Sequence, residues 1–285
     1  MRTSARASGE RSSAARHNSN LRRQLTRWFR ISHLGIHLLR GAFIAGLLFP
    51  LQSPARRNRE IEHWSARLCE ILGVRVFLHG APPSFDKRPL MVVANHVSWV
   101  DIFAINTVMP VRFVGKAEIR KWPLVGWLCA RAGTLFIQRA RRQDTLRVNE
   151  MVAEALRNGD VFAVFPEGTT TDGSTLLKFH SSLLEPALQA RAAIQPVALR
   201  YEHEDGSLCT EAAYDGPKSV WDALTGIVSQ RSVIVHVCLL PLIAPCGRDR
   251  RMLAFEAWES INLTLFPRAP NNHTETGGDR RAAAR

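Results

Sequence analysis

PLMVVANHVSWVD, residues 89–101, is the stretch from which the rest of the chain can be laid out. Residues 90–94 form a short apolar run rich in β-branched side chains, without polar alternation. That pattern predicts a strand buried on both faces, as parallel strands are. The character then changes. Asn95 and His96 stand where the strand ends, and Ser98 is placed as the N-cap of an apolar helix. Ligands of α/β sheets bind beyond the carboxyl ends of strands. His96 is therefore expected at the mouth of a site, with the Asp101 carboxylate five residues on.

A histidine and a carboxylate at this place suit acid–base chemistry. A neutral imidazole can take a proton from a hydroxyl as that oxygen attacks a carbonyl carbon. A carboxylate on the other ring nitrogen fixes the tautomer and stabilises the imidazolium. Five residues along a regular helix turn about 500°, which leaves the two side chains about 140° apart. The pair meets only if His96 precedes the helix and Asp101 lies in its first turn. Ser98-x-x-Asp101 equally resembles a capping box, in which Asp101 merely reaches back to the N-cap amide of Ser98. On this stretch alone both readings stand.

Residues 161–165, VFAVF, form a second apolar strand candidate, followed by Pro166, Glu167, Gly168, Thr169 and Thr170. Again a strand gives way to a turn carrying a carboxylate and hydroxyls. Gly168 permits close backbone approach, and successive amides in such a turn can hold an anion.

Together the two stretches resemble the glycerolipid acyltransferase family. Its N-H-x-x-x-x-D signature is matched by Asn95, His96 and Asp101, and its F-P-E-G-T signature by Phe165, Pro166, Glu167, Gly168 and Thr169. Between them, Gly115-Lys116 through Pro123 and a strand ending in Arg139 are similar to the family's intervening elements. Residues 194–199 are similar to its later proline-containing strand. The resemblance covers about residues 73–200 and implies transfer of an acyl group from acyl-CoA or acyl-carrier protein to a lysophospholipid. His96 would be the general base, oriented by Asp101. Glu167, Gly168 and Thr169 would position the acceptor, with Arg139, Lys116 and Lys178 as further substrate contacts. Family members acting on 1-acylglycerol 3-phosphate usually carry arginine after E-G-T, whereas Thr170 stands here, followed by Thr171, Asp172 and Gly173. E-G-T-T-x-D-G is more similar to members that acylate lyso-ornithine lipid. As the commonest family substrate, 1-acyl-sn-glycerol 3-phosphate is expected first, and lyso-ornithine lipid second.

The 285 residues suffice for one large α/β domain with appendages, and apolar residues make up 46%. The net charge of +13 calls for an anionic partner, whether lipid surface, phosphorylated substrate or nucleic acid. Nucleic acid is not expected, because no helix-turn-helix, zinc-finger or RNA-binding signature is present. The five cysteines form no C-x-x-C pair, so neither a disulfide framework nor a metal site is expected, and no cofactor beyond the acyl donor. Their pattern fits a reducing cytosol.

Four segments are expected. Residues 1–20 read as a disordered basic arm, and residues 1–30 hold eight arginines against one acid, Glu10. Residues 21–55 read as a helical membrane-associating segment. Its uncharged run, 41–51, is eleven residues long, and a bilayer span needs about 20. Arginines on both flanks favour a helix lying in the interface at the cytoplasmic face of the inner (plasma) membrane. An ordinary helix packed on the domain is the competing reading. Residues 56–266 read as one acyltransferase domain with a mostly parallel sheet flanked by helices, and 267–285 as a disordered tail.

Overall fold

The computed structural model describes residues 4–82, 89–138, 142–216 and 218–267. Its elements run α1 (Ser4–Phe43), α2 (Pro54–Leu72), β1 (Val74–His79), β2 (Leu90–Ala94), α3 (Asp101–Asn106), β3 (Arg112–Lys116), α4 (Val125–Arg131), β4 (Leu135–Ile137), α5 (Arg142–Arg157), β5 (Val161–Val164), α6 (Glu185–Ala190), β6 (Ala193–Glu202), α7 (Val220–Ser229), β7 (Val233–Leu239) and α8 (Arg250–Leu265). The strands form one sheet in the order β1-β7-β6-β2-β5-β3-β4. Every pairing is parallel except β6 with β7. This is the mostly parallel, helix-flanked sheet that the apolar runs predict.

All five residues of β2 are buried, because it lies mid-sheet with helices on both faces. Val92 and Ala94 pack with Leu68, Leu72, Ile105 and Ile227 on one face. Met91 and Val93 pack with Val152, Leu156, Leu184 and Leu253 on the other. Local signals set the helix ends. Ser53 accepts from the Arg56 amide at the start of α2, and Gly73, at φ 77, closes it in the left-handed conformation glycine adopts without strain. Helix α7 was not anticipated from its apolar composition, although Ser219 and Asp222 form a capping box in front of it. Cys129 and Cys238 are half-buried, and Cys69 and Cys209 are buried.

The central strand is outrun by its neighbour. Ala94, the last residue of β2, pairs with Val197, and β6 continues to Glu202. Asn95 takes over where β2 stops: its amide donates to the Leu199 carbonyl at 2.9 Å and accepts from the Leu199 N–H at 2.7 Å. The side chain thus supplies the pair of bonds that a further strand residue would have made.

Helix α1 begins at Ser4 and runs without a break to Phe43. Alanine and arginine are good helix formers, and no proline interrupts the chain before Pro50. Beyond Phe43 the helix loosens into a π turn, Ile44–Leu48, and a 3-10 turn, Phe49–Leu51. One side of this segment docks on the domain. Arg30 donates to the carbonyls of Val228, Gln230 and Arg231. His37 stacks on Trp64 at 4.6 Å and bonds its carbonyl. Gly41 permits the close approach, since a Cβ there would lie 2.7 Å from the Trp64 indole nitrogen. Arg131 donates to the Ala45 and Gly46 carbonyls while covering the Trp127 ring. The other side exposes Leu25, Trp28, Phe29, Ile36, Leu39, Phe43, Leu47 and Leu51. By length and composition alone, Gln24–Leu51 is apolar enough to cross a membrane, which the shorter uncharged run does not suggest.

Candidate active site

The loop leaving β2 brings His96 and Asp101 together. His96 Nδ1 lies 2.7 Å from Asp101 Oδ2. Asp101 is the first residue of α3, so the angular conflict of a regular helix never arises. Ser98 is not the N-cap. That position falls to Val100, without a side-chain cap, and Ser98 Oγ is buried with no partner among the described residues. The reason is that Asp101 itself collects the loop amides: Oδ2 accepts from Val97 N–H at 2.8 Å and Ser98 N–H at 3.0 Å. One carboxylate oxygen thus braces the turn and faces the imidazole, but the capping box itself is not formed, since Ser98 Oγ accepts no helix amide.

The second oxygen, Oδ1, accepts from the Tyr201 hydroxyl at 2.5 Å. Tyr201 sits on the overhang of β6 and is fully buried, which pushes its hydroxyl well above the ordinary phenol range and keeps it a donor. It was missed in the sequence. The available signal was the period-two series Val197, Leu199, Tyr201, which carries one apolar face of β6 past the end of β2. Asp101 has no exposed surface, while the His96 side chain is 21% exposed. With Nδ1 on Asp101, Nε2 is the ring nitrogen that Asp101 does not engage. The ring is seated by Phe165, stacked at 4.0 Å and 9°.

Residues 165–177 follow β5 and lock this loop from the side. Glu167 Oε1 accepts from the His96 N–H at 2.7 Å, and Oε2 accepts from the Leu177 N–H at 2.9 Å. Thr171 N–H donates to the His96 carbonyl at 2.9 Å. Tyr214 N–H reaches the neighbouring Val97 carbonyl at 2.9 Å, and the Tyr214 carbonyl in turn accepts from the Thr170 hydroxyl. Glu167, expected among the substrate contacts, thus has both oxygens committed to backbone amides. Burial pushes its carboxyl up to about 7 against the pull of those two amides.

The remaining expected contacts differ in their placement. Gly168 takes φ 78 and is half-buried, with Thr169 exposed beside it. Lys116 ends β3 and Lys178 follows Leu177, both exposed. Arg139 lies outside the described residues. His180 is exposed, and its N–H donates to the Pro166 carbonyl at 2.8 Å.

A family model described as Acyltransferase matches residues 75–200, the segment holding both loops. A lyso-ornithine lipid O-acyltransferase from Pseudomonas aeruginosa is 40% identical over 218 residues, which is 76% of this chain and 83% of that protein. The chain belongs to the acyltransferase family. A 1-acyl-sn-glycerol-3-phosphate acyltransferase from Neisseria meningitidis is 34% identical over 216 residues, covering 74% of this chain and 83% of the relative. The crystal structure of the 1-acyl-sn-glycerophosphate acyltransferase from Thermotoga maritima superposes with a TM-score of 0.67 at 22% identity. It covers 86% of this chain and 95% of its own, so the acyltransferase shares that fold.

Proposed function

We propose that this acyltransferase moves a fatty acyl group from a thioester donor, acyl-CoA or acyl-carrier protein, to the free hydroxyl of a lysolipid. The observation that carries the reading is the His96–Asp101–Tyr201 chain at the strand mouth. His96 Nε2 takes the proton of the acceptor hydroxyl as its oxygen bonds to the thioester carbon. Asp101 stabilises the imidazolium that forms. The C–S bond then breaks, and the departing thiolate recovers the proton from His96. No covalent acyl-enzyme is needed, and no G-x-S-x-G nucleophile elbow occurs in the sequence.

For the acceptor, a zwitterionic amino-acid lysolipid such as lyso-ornithine lipid is placed first. Thr170 stands where a phosphate-binding arginine is usual and is tied to the Tyr214 carbonyl. Asp172 adds a carboxylate close by, held below the ordinary range by the Ser174 hydroxyl and amide. The relative at 40% identity carries that activity in its name. A lysophosphatidate acceptor is the second reading, favoured by the cations Lys116 and Lys178 at the sheet edge and by the Neisseria relative. Acyl transfer from labelled acyl-CoA to both lysolipids, with the wild type and Thr170→Arg, tests the order. Wild-type preference for the zwitterion, shifted toward lysophosphatidate by the added guanidinium, is expected. A wild type active on lysophosphatidate alone would reverse it.

The exposed apolar side of α1 supports attachment at the membrane interface, with the catalytic domain on the cytoplasmic face. Replacing Phe29, Ile36, Leu39 and Phe43 by serine should move the protein into the soluble fraction without unfolding it, because these side chains are exposed in the folded chain. Protease protection placing the two flanks on opposite sides of the bilayer would overturn the interfacial reading.

A further inference from the structure

Beyond β6 the chain makes a tight reversal that brings unlike donor groups together. His203 N–H donates to the Ser207 carbonyl at 2.8 Å, and Gly206 N–H returns to the His203 carbonyl at 3.0 Å. Glu202 bridges Leu208, and Asp205 accepts from both the amide and hydroxyl of Ser207. Gly206 takes φ 83, where a side chain would be strained. Cys209 N–H then bonds the Tyr201 carbonyl at 3.0 Å, and a 3-10 turn, Thr210–Ala212, carries Glu211 back over the loop. The spacing H-x5-C-x-E is no familiar metal signature, so the sequence alone does not point here. In space, the imidazole, thiol and carboxylate donor atoms lie within 4.8 Å of one another, and His203 Nε2 is 3.1 Å from Glu211 Oε2.

We propose that His203, Cys209 and Glu211 bind one zinc-class transition-metal ion that staples the turn beyond β6. Tetrahedral zinc, with bonds of about 2.0–2.3 Å, sets its ligand atoms about 3.3–3.6 Å apart. The trio's donor atoms, within 4.8 Å of one another, have to close up to that spacing on binding. A thiolate with an imidazole selects zinc-class ions over magnesium or calcium, which take oxygen ligands. On binding, the Cys209 thiol releases its proton to solvent and the imidazole binds neutral. Three protein ligands leave a fourth position for water. The layout allows loading, since Cys209 forms a fully buried floor while the His203 and Glu211 side chains are 26% and 46% exposed. The ion's effect is positional, because Cys209 is bonded to the backbone of Tyr201, whose hydroxyl leans on Asp101.

The test is cobalt titration of the metal-depleted full-length chain. One equivalent should give a thiolate-to-cobalt charge-transfer band with intense tetrahedral d–d absorption, reversed by zinc. Cys209→Ser should abolish the band. If that variant fails to fold, the double change His203→Ala with Glu211→Gln, at side chains nearer the surface, decides the matter. It should lose the stoichiometric binding and the rise in melting temperature that zinc gives the wild type. Absence of the band in the wild type, or its survival in Cys209→Ser or in the double variant, would overturn the proposal and leave the trio a hydrogen-bonded turn.

Discussion

Asp101 and Glu167 are both buried carboxylates set just past the ends of neighbouring parallel strands, yet one faces a ring and the other faces the chain that carries the ring. Asp101 meets four partners: two loop amides, the His96 imidazole and the Tyr201 hydroxyl. Glu167 meets two, and both are backbone amides. The difference teaches that two acids in one pair of motifs need not share a task. Asp101 holds the His96 ring through Nδ1, while Glu167 holds the His96 backbone amide.

That contrast can be broken one residue at a time. His96→Ala should cost the most, about 10²–10⁴-fold in turnover with the melting temperature kept, as loss of a general base does. A folded variant with near-normal rate would remove His96 from the mechanism. Asp101→Asn should be slow as well, because an amide neither stabilises imidazolium nor accepts as a carboxylate does. It should also lower stability by about 1–3 kcal/mol, since buried amides of Val97 or Ser98 lose their acceptor. Full activity with only a lower melting temperature would reduce Asp101 to a cap.

Glu167→Gln should cost less, about tenfold above pH 7, where glutamine sets a donor against an amide that the ionised carboxylate accepts. Its signature is in pH. The folded chain holds a proton on Glu167 up to about 7, while the unfolded chain releases it near the ordinary carboxylate value. The stabilising contribution is therefore complete below that ordinary value and is lost as pH rises through about 7. Glutamine removes this slope, so melting temperature should fall less between pH 5 and 8 in the variant than in the wild type. Equal slopes would show that Glu167 does not titrate there. Tyr201→Phe should have the smallest effect on rate, below about tenfold, with roughly 1 kcal/mol less stability. A loss as large as that of Asp101→Asn would mean the phenol is indispensable to the dyad.

Much of this arrangement was legible because it lies where periodicity stops. An unalternating apolar run that ends in Asn-His, and another that ends in Pro-Glu-Gly, announce strand mouths in any parallel sheet. Side-chain partners across the fold were less legible. Nothing near Glu167 in the sequence says that its carboxylate will meet the amide of a residue 71 positions earlier. Tyr201 reads as one more apolar strand residue until the overhang of β6 is seen. Ser98 was misplaced because the capping statistics favour serine, whereas the stronger acceptor three residues later took the amides. The outward face of α1 could be counted in the sequence, but its docking through Arg30, His37 and Gly41 depends on carbonyls and a ring that only the fold supplies.

The overhang of β6 also fixes when the site comes into being. Asp101 meets Tyr201 across 100 residues of chain, and Asn95 meets Leu199 across 104. Contacts of such long sequence separation carry the loop-closure cost before they give any stabilisation, and they form late. A chain growing from its N-terminus has His96, Asp101 and Glu167 in hand well before residue 201 is added. Until β6 is laid beside β2, the dyad lacks its third member and Asn95 has no strand to clamp. A chain that stops short of residue 201 therefore holds the His96–Asp101 pair without the Tyr201 hydroxyl, and Asn95 without the strand it bonds.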